Sequence, residues 1–249
     1  MPRARRPKSP VDITVVLVSP KEDGNVGAVA RAMSNFGAEH LVIVNPRAPL
    51  AEEAQRRSMA GYPLLKGARV VPTLAEAVRG IDMVAGTTDL STGRTESYLR
   101  RSMTPEEWGR LVGSVQGRIA IVLGPEDNGL DREELRLCEA IVTIPTNPRS
   151  PTLNLSHAAG IILYETFLGR LEGALQRSPK VPLSARQKKV FHELLDKTLM
   201  DLHYPAHKRR AYQLLMRRLL GRSAASEHEV TMMLGFMRKV IRMTTQASR

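Results

Sequence analysis

Three stretches of this chain carry side chains whose chemistry goes beyond what packing requires. The first, Gly24-Asn25-Val26-Gly27-Ala28-Val29-Ala30-Arg31-Ala32-Met33-Ser34-Asn35-Phe36-Gly37, follows an apolar run and has helical spacing. Glycines at a helix start leave backbone N–H groups open to an anion such as a phosphate. Arg31 stands among small apolar residues, where a long cation is costly unless it faces a cleft or a partner; otherwise it is a snorkelling surface residue. In the second, Ile119 to Leu123 runs into the polar loop Gly124-Pro125-Glu126-Asp127-Asn128-Gly129. Open parallel sheets bind ligands just outside the carboxyl ends of their strands. Glu126 there can hold a hydroxyl or an arginine, or serve only as a helix-start carboxylate. The third, Ile144 to His157, is polar and stiffened by Pro145, Pro148 and Pro151, which suits a shaped ligand pocket. Thr152 and Asn154 can line such a pocket, cap the helix that follows, or do both. The Gly-x-Gly-x-x-Gly spacing of a dinucleotide site is absent, and no acidic residue ends the second strand, which argues against NAD.

Something must hold these loops at strand ends. Asp12 to Ser19 is short, β-branched and apolar, as a buried parallel strand should be. Similar runs recur at Leu41 to Val44, Val70 to Val71, Met83 to Ala85, Ile119 to Leu123 and Ile141 to Ile144, separated by segments with helical spacing. The alternation predicts an α/β fold, a parallel sheet with helices on both faces. A helix over about Leu153 to Leu171 closes the core, so that the core domain spans residues 12–172 behind a basic disordered arm at 1–11. A Gly-, Ser- and Pro-bearing linker at 173–184 follows. Helical patterns at Ala185 to Leu202, Ala206 to Leu220 and Glu227 to Ile241, punctuated by Pro205 and Gly221, predict a small all-helical domain over 185–249.

Charge narrows the partners. The 249 residues carry 37 Lys and Arg against 25 Asp and Glu, a net +12, which points to a polyanion. From Lys180 to Arg249 there are 15 Lys or Arg against 5 Asp or Glu. Standing alone, such a run would also fit a solvated helix face. Cys138 is the only cysteine, which rules out an internal disulfide and a cysteine-rich zinc site. His203 and His207 lie four apart, but Pro205 between them breaks the helix that would align them, so a surface or RNA contact is expected and no metal. No apolar run approaches the ~20 residues of a membrane span. The basic N-terminus lacks the apolar stretch of a signal peptide, and a soluble, cytoplasmic protein is expected.

In order, spacing and context the three stretches resemble the SPOUT class of knotted RNA methyltransferases. The resemblance rests on Asn-x-Gly-x-x-x-Arg at Asn25 to Arg31, a strand ending in Leu123-Gly124-Pro125-Glu126, and Ile144-Pro145 with Leu153-Asn154-Leu155-Ser156 before a helix bearing Tyr164-Glu165; it covers roughly residues 12–172. Within the class the chain is similar to tRNA ribose 2′-O-methyltransferases with a basic helical extension, which the Leu219-Leu220-Gly221-Arg222 and Glu229-to-Phe236 segments fit more loosely.

The resemblance implies a C-terminal trefoil knot, a homodimer packed through the knot with each site lined by both chains, and S-adenosyl-L-methionine as cofactor. It implies tRNA as partner and 2′-O-methylation of a tRNA ribose, foremost a cytidine at anticodon-loop position 32. A base methyltransferase on the same fold and a non-catalytic RNA-binding protein are the alternatives. By motif position, cofactor contacts fall to Thr87, Thr88, Asp89, Gly124, Ile144, Pro151, Thr152 and Leu153. Relatives often have serine where this chain has Thr152; the hydroxyl is kept. Arg31 takes the position of the catalytic arginine, with Asn25, Glu126 and Asn154 in neighbouring positions. Arg94, Arg149, Lys208, Arg209 and Arg210 are candidate RNA contacts. Because a guanidinium with a pKa above about 12 is a poor base, Arg31 is expected to clamp a phosphate and stabilise the developing alkoxide.

Overall fold

The computed structural model describes residues 11–47, 51–88, 102–174, 183–223 and 227–247. The Asp89 and Arg94 positions and the basic arm before Val11 lie outside these residues. Each apolar run forms a strand: β1 (Val11–Val18), β2 (His40–Val44), β3 (Arg69–Val71), β4 (Met83–Thr87), β5 (Gly117–Leu123) and β6 (Ala140–Val142). They pair in parallel in the order β3-β2-β1-β5-β4-β6. The first strand begins at Val11, one residue before its expected start, because Val11 already pairs with Gly117. The last ends at Val142, two residues early, since the Thr143 N–H leaves the ladder to bond the Met103 carbonyl.

Helices α1 (Asp23–Phe36), α2 (Glu52–Ser58), α3 (Tyr62–Lys66), α4 (Leu74–Ala77), α5 (Pro105–Gly113), α6 (Arg132–Arg136) and α7 (Leu155–Gly173) separate or follow the strands. Strand residues alternate between two cores, as a period of two requires. Ile13, Val15 and Leu17 face α1, α5 and α7, while Val16 and Val18 face α4 and the Leu130–Cys138 segment. Trp108 of α5 is fully buried, and its indole N–H donates to Thr166 of α7 at 3.0 Å. α7 starts two residues after its expected position, with Asn154 as N-cap accepting from the Ser156 N–H.

Beyond the core, α8 (Ala185–Asp201), α9 (Ala206–Ser223) and α10 (Glu227–Ala247) enclose a cluster of their own that includes Phe191, Leu195, Leu199, Val230 and Met237. The sequence predicts punctuation at Gly221, but α9 continues through it. A Cβ at that position would lie 2.5 Å from Cβ of Glu139, so the glycine serves a close approach to the sheet edge. Glu139 is buried there; it accepts the Val84 N–H at 2.6 Å and pairs with Lys188 at 3.3 Å and Arg217 at 3.9 Å. A buried carboxylate is tolerable only with such partners.

Next to it, Cys138 is buried, and desolvation together with the Glu139 charge pushes its thiol up to about 12. A thiol so held stays protonated and shielded. The native protein is expected to show no reaction with a disulfide reagent at pH 8 and one thiol per chain after denaturation. Rapid labelling of the native form would contradict this burial.

Candidate active site

The carboxyl ends of β4, β5 and β6 diverge around a cavity of about 340 Å³. Thr87 ends β4 and Thr88 follows it, Gly124 to Gly129 follow β5, and Ile144, Thr146 and Pro151 to Leu153 come from the loop after β6. Gly124 makes the cavity possible: a Cβ there would lie 2.3 Å from the Gly129 carbonyl carbon and the Leu130 nitrogen, so only glycine lets this loop fold back so tightly. The proline-bearing loop is closed on itself by the Thr146 hydroxyl donating to the Pro151 carbonyl at 2.8 Å. The volume falls within the usual ~300–1,000 Å³ of small-molecule sites. Leu123, Ile144, Leu153 and Ala158 give it apolar walls, and glycine and threonine leave backbone groups accessible. This donor set fits an adenosine-bearing cofactor. Seven of the eight positions carried over as cofactor contacts line the cavity, and the eighth, Asp89, lies outside the described residues.

At the rim a chain of hydrogen bonds joins three of the four positions carried over as catalytic. Both the Ser156 N–H and its hydroxyl donate to Oδ1 of Asn154, at 2.8 and 2.7 Å. This turns Nδ2 of Asn154 toward Oδ1 of the buried Asn25, at 3.1 Å. The Asn25 amide then donates to Glu126 at 3.0 Å and Glu22 at 3.2 Å. Only this orientation of the two amides gives every acceptor a donor. The Glu126 carboxylate also accepts the backbone N–H of Lys21 at 2.9 Å and of Glu22 at 3.3 Å. Burial works against its charge, but the Asn25 amide and these backbone donors outweigh burial and hold the carboxyl below its usual range. With its lone pairs so occupied, Glu126 is a poor proton acceptor and a good brace. We read it as a positioning residue that ties the turn before α1 to the loop after β5.

This brace has a pH signature. A carboxyl whose folded pKa is depressed contributes stability above its unfolded value of about 4.3 and loses it as pH falls through the lowered one. The melting temperature of the wild type is therefore expected to drop faster than that of Glu126→Gln between about pH 5 and 3. Parallel melting curves would remove Glu126 from this role.

Arg31 is not part of the cluster within one chain. It lies six residues after Asn25, about 9 Å along the helix at ~1.5 Å per residue, exposed, and no described residue pairs with it. Arg149, Lys208 and Arg210 are also exposed. Arg209, the other candidate RNA contact on α9, turns toward Asp196 at 3.4 Å, with its Nε buried. Thr146, Lys21 and Glu22 contribute to the site with no role assigned to them by the sequence, and Ser156, which enters there only within the Leu-Asn-Leu-Ser motif, donates to Asn154. Ser156 and Thr146 lay in the polar loop already marked as pocket-forming, whereas the backbone donors of Lys21 and Glu22 left no signal. Among the described residues no group of three or more His, Cys, Asp or Glu is placed to hold a metal ion.

A parallel sheet with a small-molecule cavity at its carboxyl edge, next to an amide–carboxylate brace, defines an α/β enzyme that works on a bound cofactor. Residues 12–164 match the SpoU rRNA Methylase family, and the chain belongs to it. It is a methyltransferase, and its cofactor is S-adenosyl-L-methionine. Among curated relatives, it is 34% identical over 229 residues to the tRNA (cytidine-2′-O-)-methyltransferase TrmJ of Methanocaldococcus jannaschii, covering 90% of this chain and 98% of that protein. It is 32% identical over 240 residues to the tRNA (cytidine/uridine/adenosine-2′-O-)-methyltransferase TrmJ of Pseudomonas aeruginosa, covering 90% and 92%. Among solved structures, TrmJ from Z. mobilis ZM4 superposes with a TM-score of 0.68 at 28% identity, covering 91% of this chain and 98% of that one.

Proposed function

We propose that this chain transfers the methyl group of S-adenosyl-L-methionine to a ribose 2′-hydroxyl of tRNA, foremost a cytidine at anticodon-loop position 32. The observation that carries this reading is similarity to tRNA 2′-O-methyltransferases over 90% of the chain, which takes in the basic helices as well as the core. When bound, the cofactor supplies a methyl group already activated by its sulfonium. The protein's task is then to orient a weakly acidic hydroxyl, and orientation alone supplies much of a rate. The Ser156–Asn154–Asn25–Glu126 chain fixes the rim against which the ribose docks, and Arg31 holds the adjoining phosphate and the developing alkoxide. The proton leaves to that phosphate or to water.

We further propose that the loop after β6 is threaded as a trefoil knot, and that two chains pack through it. Support for a partner chain comes from α1 and α7: Ile161 is 39% and Tyr164 46% exposed, and Tyr164 stacks edge-on against Phe36 at 5.7 Å. Single apolar residues on a surface need no explanation; it is the grouping of Ile161, Tyr164 and Phe36 beside the candidate site that supports an interface there. Arg31 is exposed on α1 as well, so each site would be lined by both chains. We divide the chain into a basic arm, a core over 12–172, a linker over 173–184 and an RNA-binding helical part over 185–249, working in the cytoplasm. No helix among the described residues is long and apolar enough to cross a membrane.

The test is methylation of a set of tRNA transcripts by the full chain, followed by nucleoside mass spectrometry. The expected product is 2′-O-methylcytidine. A methylated base would replace this reading with base methylation, and failure to bind S-adenosyl-L-methionine in titration calorimetry would replace it with RNA binding alone.

A further inference from the structure

The turn between α8 and α9 is built in a way that helix closure does not require. The residue after Leu202, His203, has φ 56°, in the left-handed region, while the N–H groups of His203 and Tyr204 close back on the Met200 and Leu199 carbonyls. Glycine or asparagine occupies this position at lowest cost, and a larger side chain held there deserves a functional question. The turn presents Tyr204, whose ring meets Tyr212 of α9 edge to face at 5.4 Å and 88°. Both rings are more than a third exposed, at 36% and 37%, and neither belongs to the apolar cluster that joins α8 to α10.

The charge on the helix that carries Tyr212 has one sign, and Asp201 at the end of α8 is the acidic residue nearest in sequence to Tyr204. α9 carries six Lys or Arg and no acidic residue over its whole length. Arg209 is consumed by Asp196, and Gln213 turns inward to His192, which leaves Lys208, Arg210 and His207 exposed around the tyrosines. Lys208 lies one turn before Tyr212, on the same side of the helix. Aromatic faces interleaved with cations match an unpaired nucleotide: the base stacks on a ring while its phosphate meets the ammonium or guanidinium. An acidic protein segment would use the charges and leave the rings idle.

The other end of α9 is fixed. Arg217 and Gly221 sit against Glu139 at the amino-terminal end of β6, opposite the cavity. At ~1.5 Å per residue Tyr212 stands roughly 8–14 Å along the helix from that anchor, and Tyr204, just before the helix start, roughly 20 Å or more. Within one chain, a nucleotide held there is therefore distinct from one at the cofactor cavity.

From the exposed tyrosine pair, its cationic surround and the anchored helix, we infer that Tyr204, Tyr212, Lys208 and Arg210 form a second RNA subsite, which stacks an unpaired base and holds its phosphate away from the cofactor cavity. The inference rests on the tRNA reading above. The experiment uses the full chain and a full-length tRNA transcript, with binding read by fluorescence anisotropy and turnover by methyl incorporation. Tyr204→Ser and Tyr212→Ser are each expected to weaken tRNA binding about 5- to 100-fold and to raise KM for tRNA with kcat and cofactor affinity unchanged. Tyr204→Phe and Tyr212→Phe, which keep the ring, are expected to bind like wild type. The double change Lys208→Gln, Arg210→Gln is expected to flatten the slope of log affinity against log salt by about 1–2. Independently of any variant's folding, 4-thiouridine-substituted tRNA is expected to crosslink to the peptide spanning residues 203–212. Serine variants that bind like wild type, phenylalanine variants that fail as badly as serine ones, or crosslinks only elsewhere would overturn the subsite. A wild-type chain that binds no tRNA at all would instead overturn the tRNA reading itself.

Discussion

Arg31→Ala is expected to lower kcat for methyl transfer by about 10²–10³-fold, the range seen when one preorganised donor to a developing anion is removed. Cofactor affinity should not change, because Arg31 is not among the residues lining the cavity. Folding should not change either: the side chain is exposed, and α1 is held by its other faces, through Val26, Val29, Ala30 and Met33 in the core. Arg31→Lys separates the possible roles. A lysine retains the charge but loses the planar fork that grips a phosphate through two parallel hydrogen bonds. A fall of about tenfold or more is expected for Lys, corresponding to a charge-assisted hydrogen bond of ~1.5 kcal/mol. Single-turnover methylation of tRNA by the two variants, with titration calorimetry for the cofactor, checks both statements. Near-full activity in Arg31→Lys would leave only a point charge and dismiss the bidentate clamp.

Six apolar runs sufficed for the parallel sheet, because strands buried on both faces have no polar alternation to confuse them. Loop composition marked the stretches after β5 and β6 as ligand-facing, while the individual cofactor positions came from the resemblance, and seven of those line the cavity. The resemblance alone put Asn25, Glu126 and Asn154 side by side, and nothing in the residue pattern disclosed the hydrogen bonds that join them. Asn25 and Asn154 are separated by 129 positions and Asn25 and Glu126 by 101, and no periodicity reports pairings at that range. Gly221 was misread for a physical reason, since a glycine that ends a helix and one that admits a neighbouring side chain look alike in sequence. Nor does the sequence disclose that Arg209, a candidate RNA contact, pairs with Asp196, thirteen residues earlier on another helix. Glu139 drew no notice because one of its partners, Lys188, lies 49 residues away.

Gly169→Ala is expected to be the most damaging single methyl group in the core. Helices α5 and α7 meet backbone to backbone through interlocking glycines. A Cβ on Gly169 would lie 1.8 Å from the Gly109 carbonyl oxygen, and one on Gly109 would lie 2.4 Å from the Glu165 carbonyl oxygen. The contact repeats a turn later, where a Cβ on Gly173 would be 2.1 Å from the Gly113 oxygen. Neither neighbour is a flexible side-chain end, so relief requires the helix axes to separate. That separation would pull Trp108 from Thr166 and tilt the helix whose N-cap, Asn154, braces Asn25. Overpacking of this kind costs about 3 kcal/mol, which for a chain of this size lowers the melting temperature by roughly 6–12 °C. Because α7 also carries the brace, methylation should fall more than the folded fraction does. Gly235→Ala is the control: it lies inside α10 with nothing within 4 Å of an added Cβ, and there the methyl group should stabilise by about 0.5–1 kcal/mol. Calorimetric melting of the two variants decides the matter, and equal melting temperatures would mean that α5 and α7 do not depend on this contact.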